Sequence, residues 1–315
     1  MMEISCVVFI FALLTTLFWG TADLFYKKGA EEADRYSHLK TAMTVGFVMG
    51  GHAIATLIIT GVDFDWINII KYLPVSLMYI LSMTVGYFGL RYLELSISSP
   101  IQNASGAVTC LLCLVLLNQS MDILSGVAVI AICVGVFLLG LFERISLKKT
   151  AAGDEKRYKI GLVAFMMPIL YCIIDALGTF FDAYYLDDFE ATPLVGVTED
   201  TLETVANVSY ELTFLLCAVI ILIVLVPIKK QRLGFSGQKS RCAAAFFETA
   251  GQAVYVYAMS GNGVVAAPMI ASYSIVSLIL SRIFLKEKLT KAQYAAVVLV
   301  MAGIAMLGIV EGLEA

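Results

Sequence analysis

The sequence predicts an all-α integral membrane protein whose ten transmembrane helices form two inverted repeats of five. Three observations predict this fold. Hydrophobic residues make up 60% of the chain and charged residues 15%, whereas an average soluble domain has about 25% charged residues. The charges are grouped between apolar runs, each near the ~20 residues that span a bilayer as a helix. Finally, the chain contains one long stretch twice. The ten apolar runs are residues 4–26, 38–60, 72–93, 97–118, 122–142, 159–182, 206–228, 241–260, 263–285 and 291–310.

The internal repeat divides the chain into two copies. Residues 87–143 align without a gap on residues 255–311, at a constant shift of 168 positions (255 minus 87). The alignment pairs Gly135 with Gly303. Self-similarity over this length indicates a duplicated structural unit. Because five spans are an odd number, the second copy is predicted to lie upside down relative to the first, as in many secondary transporters.

These observations predict three units and an orientation. The first repeat covers residues 1–143, a basic linker covers 144–158 and the inverted second repeat covers 159–315. If the spans alternate in direction, all 21 Lys and Arg residues except Lys71 fall on one face. Short loops rich in Lys and Arg stay in the cytoplasm. The linker should therefore be cytoplasmic, while both chain ends and the acidic segment 183–205 should lie outside the cell membrane.

Several short stretches resemble the drug/metabolite transporter superfamily, in its EamA-like branch. They are Phe18-Trp19-Gly20, Leu90-Arg91-Tyr92 followed by Pro100, the L-x-E-x-L pattern within residues 284–290, and Ala302-Gly303. The resemblance implies paired repeats and transport of a small molecule across a membrane. The sequence departs from it at Gln119, which stands where the second copy has Glu287. The family is also often described with cytoplasmic termini, opposite to the orientation that the charges predict here.

Glu248 is the sharpest candidate for a functional residue. It lies inside the eighth apolar run, where an ionisable side chain is costly and therefore a functional candidate. Gln252 and Tyr255 follow at i+4 and i+7, so the three side chains share one helix face. The first copy has Ile80 where the second has Glu248. A buried carboxyl that is satisfied by a neighbouring helix is the structural alternative.

Other candidate residues lie on the first, second, third and sixth runs. Asp175 shares a face with Tyr171. An unperturbed imidazole titrates near neutral pH, so His52 could relay a proton or bind substrate, or it could be a structural histidine packed beside two glycines. A few aromatic rings around a buried acid would form a cage for a cation. Asp23 is interpreted as an interfacial ion pair with Lys27. The complete set of predicted binding residues is Trp19, His52, Tyr79, Tyr171, Asp175, Glu248, Gln252 and Tyr255.

The residue patterns favour a transporter over an enzyme. The sequence has no nucleophile–base set, metal-ligand cluster, phosphate loop or nucleic-acid-binding pattern, so no catalytic residue, metal or cofactor is predicted. Gly261-Asn262-Gly263 is interpreted as a tight turn between helices. We predict alternating-access secondary transport of a small polar or cationic metabolite such as an amine, amino acid or drug-like compound. Proton coupling and a homodimer stay open. The alternatives are a divalent-cation channel or transporter and a membrane enzyme acting on lipid.

Overall fold

The protein is helical throughout the part that the structure describes. This part, in a computed structural model, comprises residues 2–105, 107–109, 112, 123–150, 155–186, 189, 192–271 and 273–314, and it contains helices and turns but no strand. The predicted fourth run, 97–118, thus lies partly outside the described residues, and Gln119 lies wholly outside them. The all-α class is confirmed for the residues described.

Eleven helices can be numbered in the described residues. They are α1 (Met2–Gly29), α2 (Ser37–Thr60), α3 (Ile67–Lys71), α4 (Leu73–Gly89), α5 (Leu95–Gln102), α6 (Ile123–Thr150), α7 (Glu155–Leu186), α8 (Leu202–Ile223, continued by a π-helical turn Val224–Ile228), α9 (Phe235–Ala271), α10 (Tyr273–Leu280, continued by a π-helical turn Ser281–Leu285) and α11 (Lys291–Glu314).

Three of these helical segments are long and apolar enough to cross a membrane. They are Ser37–Thr60, Ile160–Leu186 and Leu202–Ile228. Shorter apolar helices cover Leu73–Gly89, Gly126–Leu139, Tyr273–Leu285 and Lys291–Met306. Membrane-spanning helices are thus present by length and composition, while the number of ten spans stays a prediction.

Two predicted boundaries differ from the structure. The turn predicted at Gly261-Asn262-Gly263 is wrong, because α9 continues through it to Ala271. A glycine inside a helix costs only about 1 kcal/mol relative to alanine, so two glycines mark a turn weakly. The predicted linker 144–158 is partly helical, since α6 ends at Thr150 and α7 begins at Glu155.

Four extensive helix pairs build the bundle. Helix α1 packs along α9, α4 along α7, α2 along α8, and α6 along α11. The pairs meet closely at small residues, as helices in membranes commonly do. At Gly46 of α2, an added Cβ would lie 2.3 Å from the Phe214 carbonyl oxygen of α8. Any larger residue there would force these two helices apart.

The α6–α11 interface repeats itself. A Cβ at Gly135 would lie 2.5 Å from the Val300 side chain, and a Cβ at Gly303 would lie 2.7 Å from Ile132. The repeat shift of 168 carries Gly135 onto Gly303 and Ile132 onto Val300. Equivalent residues of the two copies therefore make reciprocal contacts, which is the pattern of a two-fold symmetric interface.

Candidate functional site

A cavity of about 590 Å³ lies among the helices of both halves. Helices α1, α4, α5, α7, α8, α9 and α10 all contribute side chains to its wall. Ligand sites for small molecules typically have volumes of about 300–1,000 Å³, so the cavity has the size for one. Seven of the predicted binding residues line it: Trp19, Tyr79, Tyr171, Asp175, Glu248, Gln252 and Tyr255.

The wall of the cavity is acidic and aromatic. Five carboxylates line it, and none of the described lining residues is Lys or Arg. A cleft with low-dielectric walls and one sign of charge concentrates ions of the opposite sign. The carboxylates belong to Asp23, Asp175, Asp182, Glu203 and Glu248.

Glu248 lies beside two aromatic side chains of α1. Its Oε2 atom accepts a hydrogen bond from the Tyr26 hydroxyl at 3.3 Å, and its backbone carbonyl accepts one from Trp19 Nε1 at 3.3 Å. Gly251 permits this approach, since a Cβ there would lie 2.4 Å from the indole ring. Helix α9 therefore holds Glu248, Gln252 and the Trp19 ring in one patch of the wall.

Aromatic rings surround that patch. The Trp19 ring lies 5.2 Å from Tyr255 and 5.8 Å from Tyr273, centroid to centroid. Tyr26 and Tyr87 form a further pair at 4.6 Å. Faces of Trp and Tyr attract ammonium groups, most strongly where water is excluded. The combination of rings and carboxylates suits a small organic cation.

Two further acids lie on one face of α7. Asp175 accepts a hydrogen bond from the Ser82 hydroxyl at 3.4 Å. Asp182 accepts a hydrogen bond from the Tyr72 hydroxyl. Asp182 follows Asp175 at i+7, which is two helical turns, so periodicity could have identified it as a cavity residue.

The predicted ion pair between Asp23 and Lys27 is wrong. Asp23 Oδ2 accepts hydrogen bonds from Ser99 Oγ at 2.7 Å and Ser277 Oγ at 2.6 Å. The Lys27 ammonium instead donates to backbone carbonyls at the end of α4, 2.7 Å and 2.6 Å away. Both serines come from distant parts of the chain, so helix periodicity within α1 gave no sign of them.

His52 does not line the cavity. Its Nδ1 atom lies 2.8 Å from Glu211 Oε2 on α8. Sequence reasoning also missed several residues that do line the cavity, because their partners come from other helices. They include Tyr26, Tyr72, Tyr87, Asn103, Asn207, Tyr210 and Tyr273. Among the described residues, no group of three or more His, Cys, Asp or Glu side chains is arranged to hold a metal ion.

A family model for EamA-like transporters matches residues 7–141 and 200–309, most of the chain. The chain belongs to the EamA-like transporter family. The resemblance predicted from the sequence is thereby confirmed, and this EamA-like chain is a membrane protein of a transporter family. The two matched stretches fall one in each predicted repeat.

Comparisons with individual proteins give information on the fold only. One solved crystal structure of a protein shares 14% sequence identity with this EamA-like chain, at a TM-score of 0.57. The alignment covers 96% of this chain and 98% of that chain. Curated proteins yield no match.

One motif of the EamA-like resemblance has a structural role here. Glu287, the acid of L-x-E-x-L, accepts hydrogen bonds from the backbone N–H groups of Leu95 and Ser96, both at 2.9 Å. These N–H groups open helix α5 and have no partner within that helix. A residue of the second half thus caps a cavity-lining helix of the first half.

Proposed function

We propose that this protein is a secondary transporter for a small organic cation, such as an amine or a drug-like or amino-acid compound that carries an ammonium group. One observation carries the proposal: five carboxylates and several aromatic rings line a cavity whose described wall has no Lys or Arg. An anionic substrate would meet uncompensated repulsion there. A cation would find both ion-pair partners and ring faces.

The spacing of the acids favours an extended cation with two charges. Asp175 and Asp182 are seven residues apart on α7, which corresponds to about 10 Å along a helix at 1.5 Å per residue. Each carboxylate could hold one ammonium group. A linear diamine is therefore the first ligand to test.

Alternating access between two inverted five-helix repeats is the proposed mechanism. The reciprocal contacts of Gly135 with Val300 and of Gly303 with Ile132 support a two-fold relation between the halves. The pairing of α1 with α9 and of α4 with α7 supports it too, because each pair joins one helix from each predicted repeat. In such folds the substrate site lies between the repeats, and helices from both proposed repeats line the cavity.

The proposed orientation follows the charge distribution. The linker 144–158 faces the cytoplasm, and segment 183–205 and both chain ends face outward from the cell membrane. Cysteines placed at Lys149 and Glu199, in a protein without native cysteines, test this. Labelling of position 199 alone by an impermeant reagent in intact cells is expected, and labelling of position 149 would reverse the orientation.

Glu248 is the proposed group that exchanges a proton for the cation. Its carboxylate accepts a 3.3 Å bond, whereas Asp23 accepts two bonds of 2.7 Å and 2.6 Å. Less hydrogen-bond energy is therefore lost when Glu248, rather than Asp23, takes up a proton or exchanges its partner for a ligand. Glu248→Gln should retain the fold and cation exchange but lose uptake driven by a pH gradient in proteoliposomes. Full gradient-driven uptake by Glu248→Gln would remove this residue from the mechanism.

Direct binding can be measured through Trp19. The chain has two tryptophans, and Trp66 is 67% exposed, so Trp66→Phe leaves the cavity tryptophan as the single reporter. Putrescine and tetramethylammonium should change its fluorescence saturably, while glucose should not. A saturable response to glucose and none to either cation would overturn the proposal.

A divalent cation is the second candidate, because carboxylate oxygens are ligands for Ca²⁺ and Mg²⁺. The same fluorescence assay separates the candidates. Saturation by millimolar Mg²⁺ or Ca²⁺, with no response to putrescine or tetramethylammonium, would favour the inorganic cation.

A further inference from the structure

A further buried acid, outside the cavity wall, is paired with a histidine. Glu211 of α8 is fully buried, and its two carboxylate oxygens lie 2.9 Å and 2.8 Å from His52 Nδ1 of α2. The His52 side chain is 34% exposed. With Nδ1–H donated to Glu211, Nε2 is the ring atom that can take up a proton. The pair therefore has a fully buried carboxylate and a partly exposed imidazole.

Two amide side chains lie between this pair and the cavity. Asn207 lies one turn before Glu211 on the same face of α8, and it lines the cavity. Its Oδ1 atom accepts a hydrogen bond from Gln252 Nε2 at 3.3 Å. The Nδ2 group of Asn207 is thus left as a donor, and the Glu211 carboxylate, which only accepts, is its i+4 neighbour.

This arrangement links the charge of the pair to the cavity wall. Asn207 Oδ1 accepts from the Nε2 group of Gln252, while Asn207 Nδ2 is the donor available to Glu211. The carbonyl Oε1 of Gln252 is then the group that Gln252 can offer to a cation. Gln252 lies one turn from Glu248 on α9, so a cation bound at Glu248 is within reach of the same amide.

We propose that His52 and Glu211 form a proton-binding site beside the cavity, coupled to cation binding through Asn207 and Gln252. The inference rests on the proposed cation transport and deepens it. The pair has no net charge while His52 carries the proton and a net charge of minus one after the proton leaves. Loss of the proton therefore makes the region more negative and strengthens cation binding. Proton binding at this pair and cation binding in the cavity therefore weaken each other, which modulates the direct exchange proposed at Glu248.

Other ionisable groups on the helices around α2 face elsewhere. Of those in the described residues, Glu211 alone has a recorded contact with the imidazole. Those that line the cavity are Asp23 and Tyr26 of α1, Tyr72 directly before α4, Tyr79 and Tyr87 of α4, Glu203 and Tyr210 of α8, and Glu248 and Tyr255 of α9. Lys27 of α1 and Arg241 of α9 engage groups at the far, basic end of the bundle.

The test uses the two histidines of the chain. His38→Gln leaves His52 as the only histidine, and Trp66→Phe leaves Trp19 as the only tryptophan. In this double variant, with ¹³C-labelled histidine and purified in detergent, the imidazole NMR signal is titrated with and without saturating putrescine. Putrescine should move the titration midpoint of His52 to lower pH, by about fivefold in proton concentration, the low end of usual coupling. Trp19 fluorescence reports in the same sample whether putrescine is bound.

Gln252→Leu removes the hydrogen bond between Gln252 and Asn207 and leaves His52 and Glu211 unchanged. It should reduce the midpoint shift by at least half at saturating putrescine, while His52 still titrates. Gln238→Leu is the matched control, because Gln238 is also on α9, accepts a bond from Thr44 of α2 at 3.4 Å and is absent from the described cavity wall. It should keep the full shift.

The outcomes separate the two proposals. If Trp19 reports bound putrescine and the His52 midpoint stays unchanged, the coupling is overturned while cation binding stands. An equal loss of the shift in Gln252→Leu and Gln238→Leu would overturn the route through Asn207. If no cation changes Trp19 fluorescence, the proposed cation transport itself fails.

Discussion

The two ends of the bundle are built from different interactions. At the end that carries Lys27, Arg91 and Arg241, called the basic end here, charged side chains are buried and bind backbone carbonyls or acids. Arg91 donates to the carbonyls of Glu31, Arg35 and Glu32, and Lys27 donates to those of Leu90 and Leu93. These bonds tie the end of α1 and the α1–α2 loop to the residues that directly follow α4.

The opposite end, called the acidic end here, is part of the cavity. Asp182, Leu186 and Glu203 lie near the ends of α7 and α8, and all three line the cavity. The contact between α4 and α7 there is a phenol–carboxylate bond, from Tyr72 to Asp182. Hydrogen bonds to charged groups contribute more than neutral ones, so many of them at one end make that end harder to open.

The charged groups that bind the protein's own backbone and the carboxylates of the acidic end thus lie at opposite ends of the bundle. At the basic end, the Lys27 and Arg91 side chains donate to backbone carbonyls of the protein itself. The acidic end keeps carboxylates next to the cavity, where a ligand can reach them. Changes at the basic end should therefore reduce stability first, and changes at the acidic end should reduce binding first.

Removing Arg91 should have the largest effect on stability. Arg91→Gln loses charge-assisted bonds to three carbonyls, with donor–acceptor distances of 3.2, 3.3 and 2.8 Å. At roughly 1.5–3 kcal/mol for each bond to a charged group, and without full additivity, we expect a loss of about 3 kcal/mol. SDS-driven unfolding in mixed micelles measures it. Arg35→Gln is the control, because that side chain is exposed, and an equal loss there would contradict the assignment.

Glu287→Ala should have the next largest effect. It removes the acceptor for two N–H groups at the start of α5, and such caps contribute about 0.5–2 kcal/mol. Because both N–H groups are buried, we expect about 2 kcal/mol in the same unfolding assay. Glu32→Ala, at an exposed glutamate, should change stability by less than about 0.5 kcal/mol. A stable Glu287→Ala protein would show that α5 needs no cap from the second half.

Tyr72→Phe should cost less stability than either change at the basic end. It removes the hydroxyl that Asp182 accepts, while the ring keeps its T-shaped contact with Tyr185. We expect about 1 kcal/mol from one lost hydrogen bond. Putrescine affinity, measured by Trp19 fluorescence, should fall, and the loss of binding free energy should exceed the loss of unfolding free energy. A loss of stability larger than that of Arg91→Gln would break the distinction between the ends.

The smallest predicted effect is a pH dependence at the basic end. Asp34 lies in the α1–α2 loop. Partial burial opposes its ionisation, but hydrogen bonds from Lys40 at 2.8 Å and from the Tyr36 N–H at 3.0 Å outweigh it, so the pKa of Asp34 lies below its ordinary value.

A depressed pKa in the folded state stabilises the fold above the unfolded pKa, which is about 3.9 for aspartate. That contribution is lost as pH falls from there through the folded pKa. Wild type should therefore lose more stability than Asp34→Asn when the pH is lowered from about 5 to 3, by less than about 1 kcal/mol. Parallel pH profiles of the two proteins would contradict this.

Sequence patterns identified the residues that share a helix face. Glu248, Gln252 and Tyr255 were predicted together because 3.6 residues per turn fix which side chains of one helix point the same way. The structure has all three on the cavity wall. The turn predicted at Gly261 was wrong, because local propensity is a weak signal that the rest of the fold can override.

Apolar run length, the 168-residue shift and the short motifs were enough to predict the helical membrane class, the internal repeat and the family resemblance. Contacts between helices became apparent only in the packed bundle: Asp23 with Ser99 and Ser277, His52 with Glu211, and Glu287 with the start of α5. The physical reason is that periodicity fixes directions within one helix. Contacts between helices depend on where small residues such as Gly46 and Gly135 let two backbones approach, and on the register in which they pack.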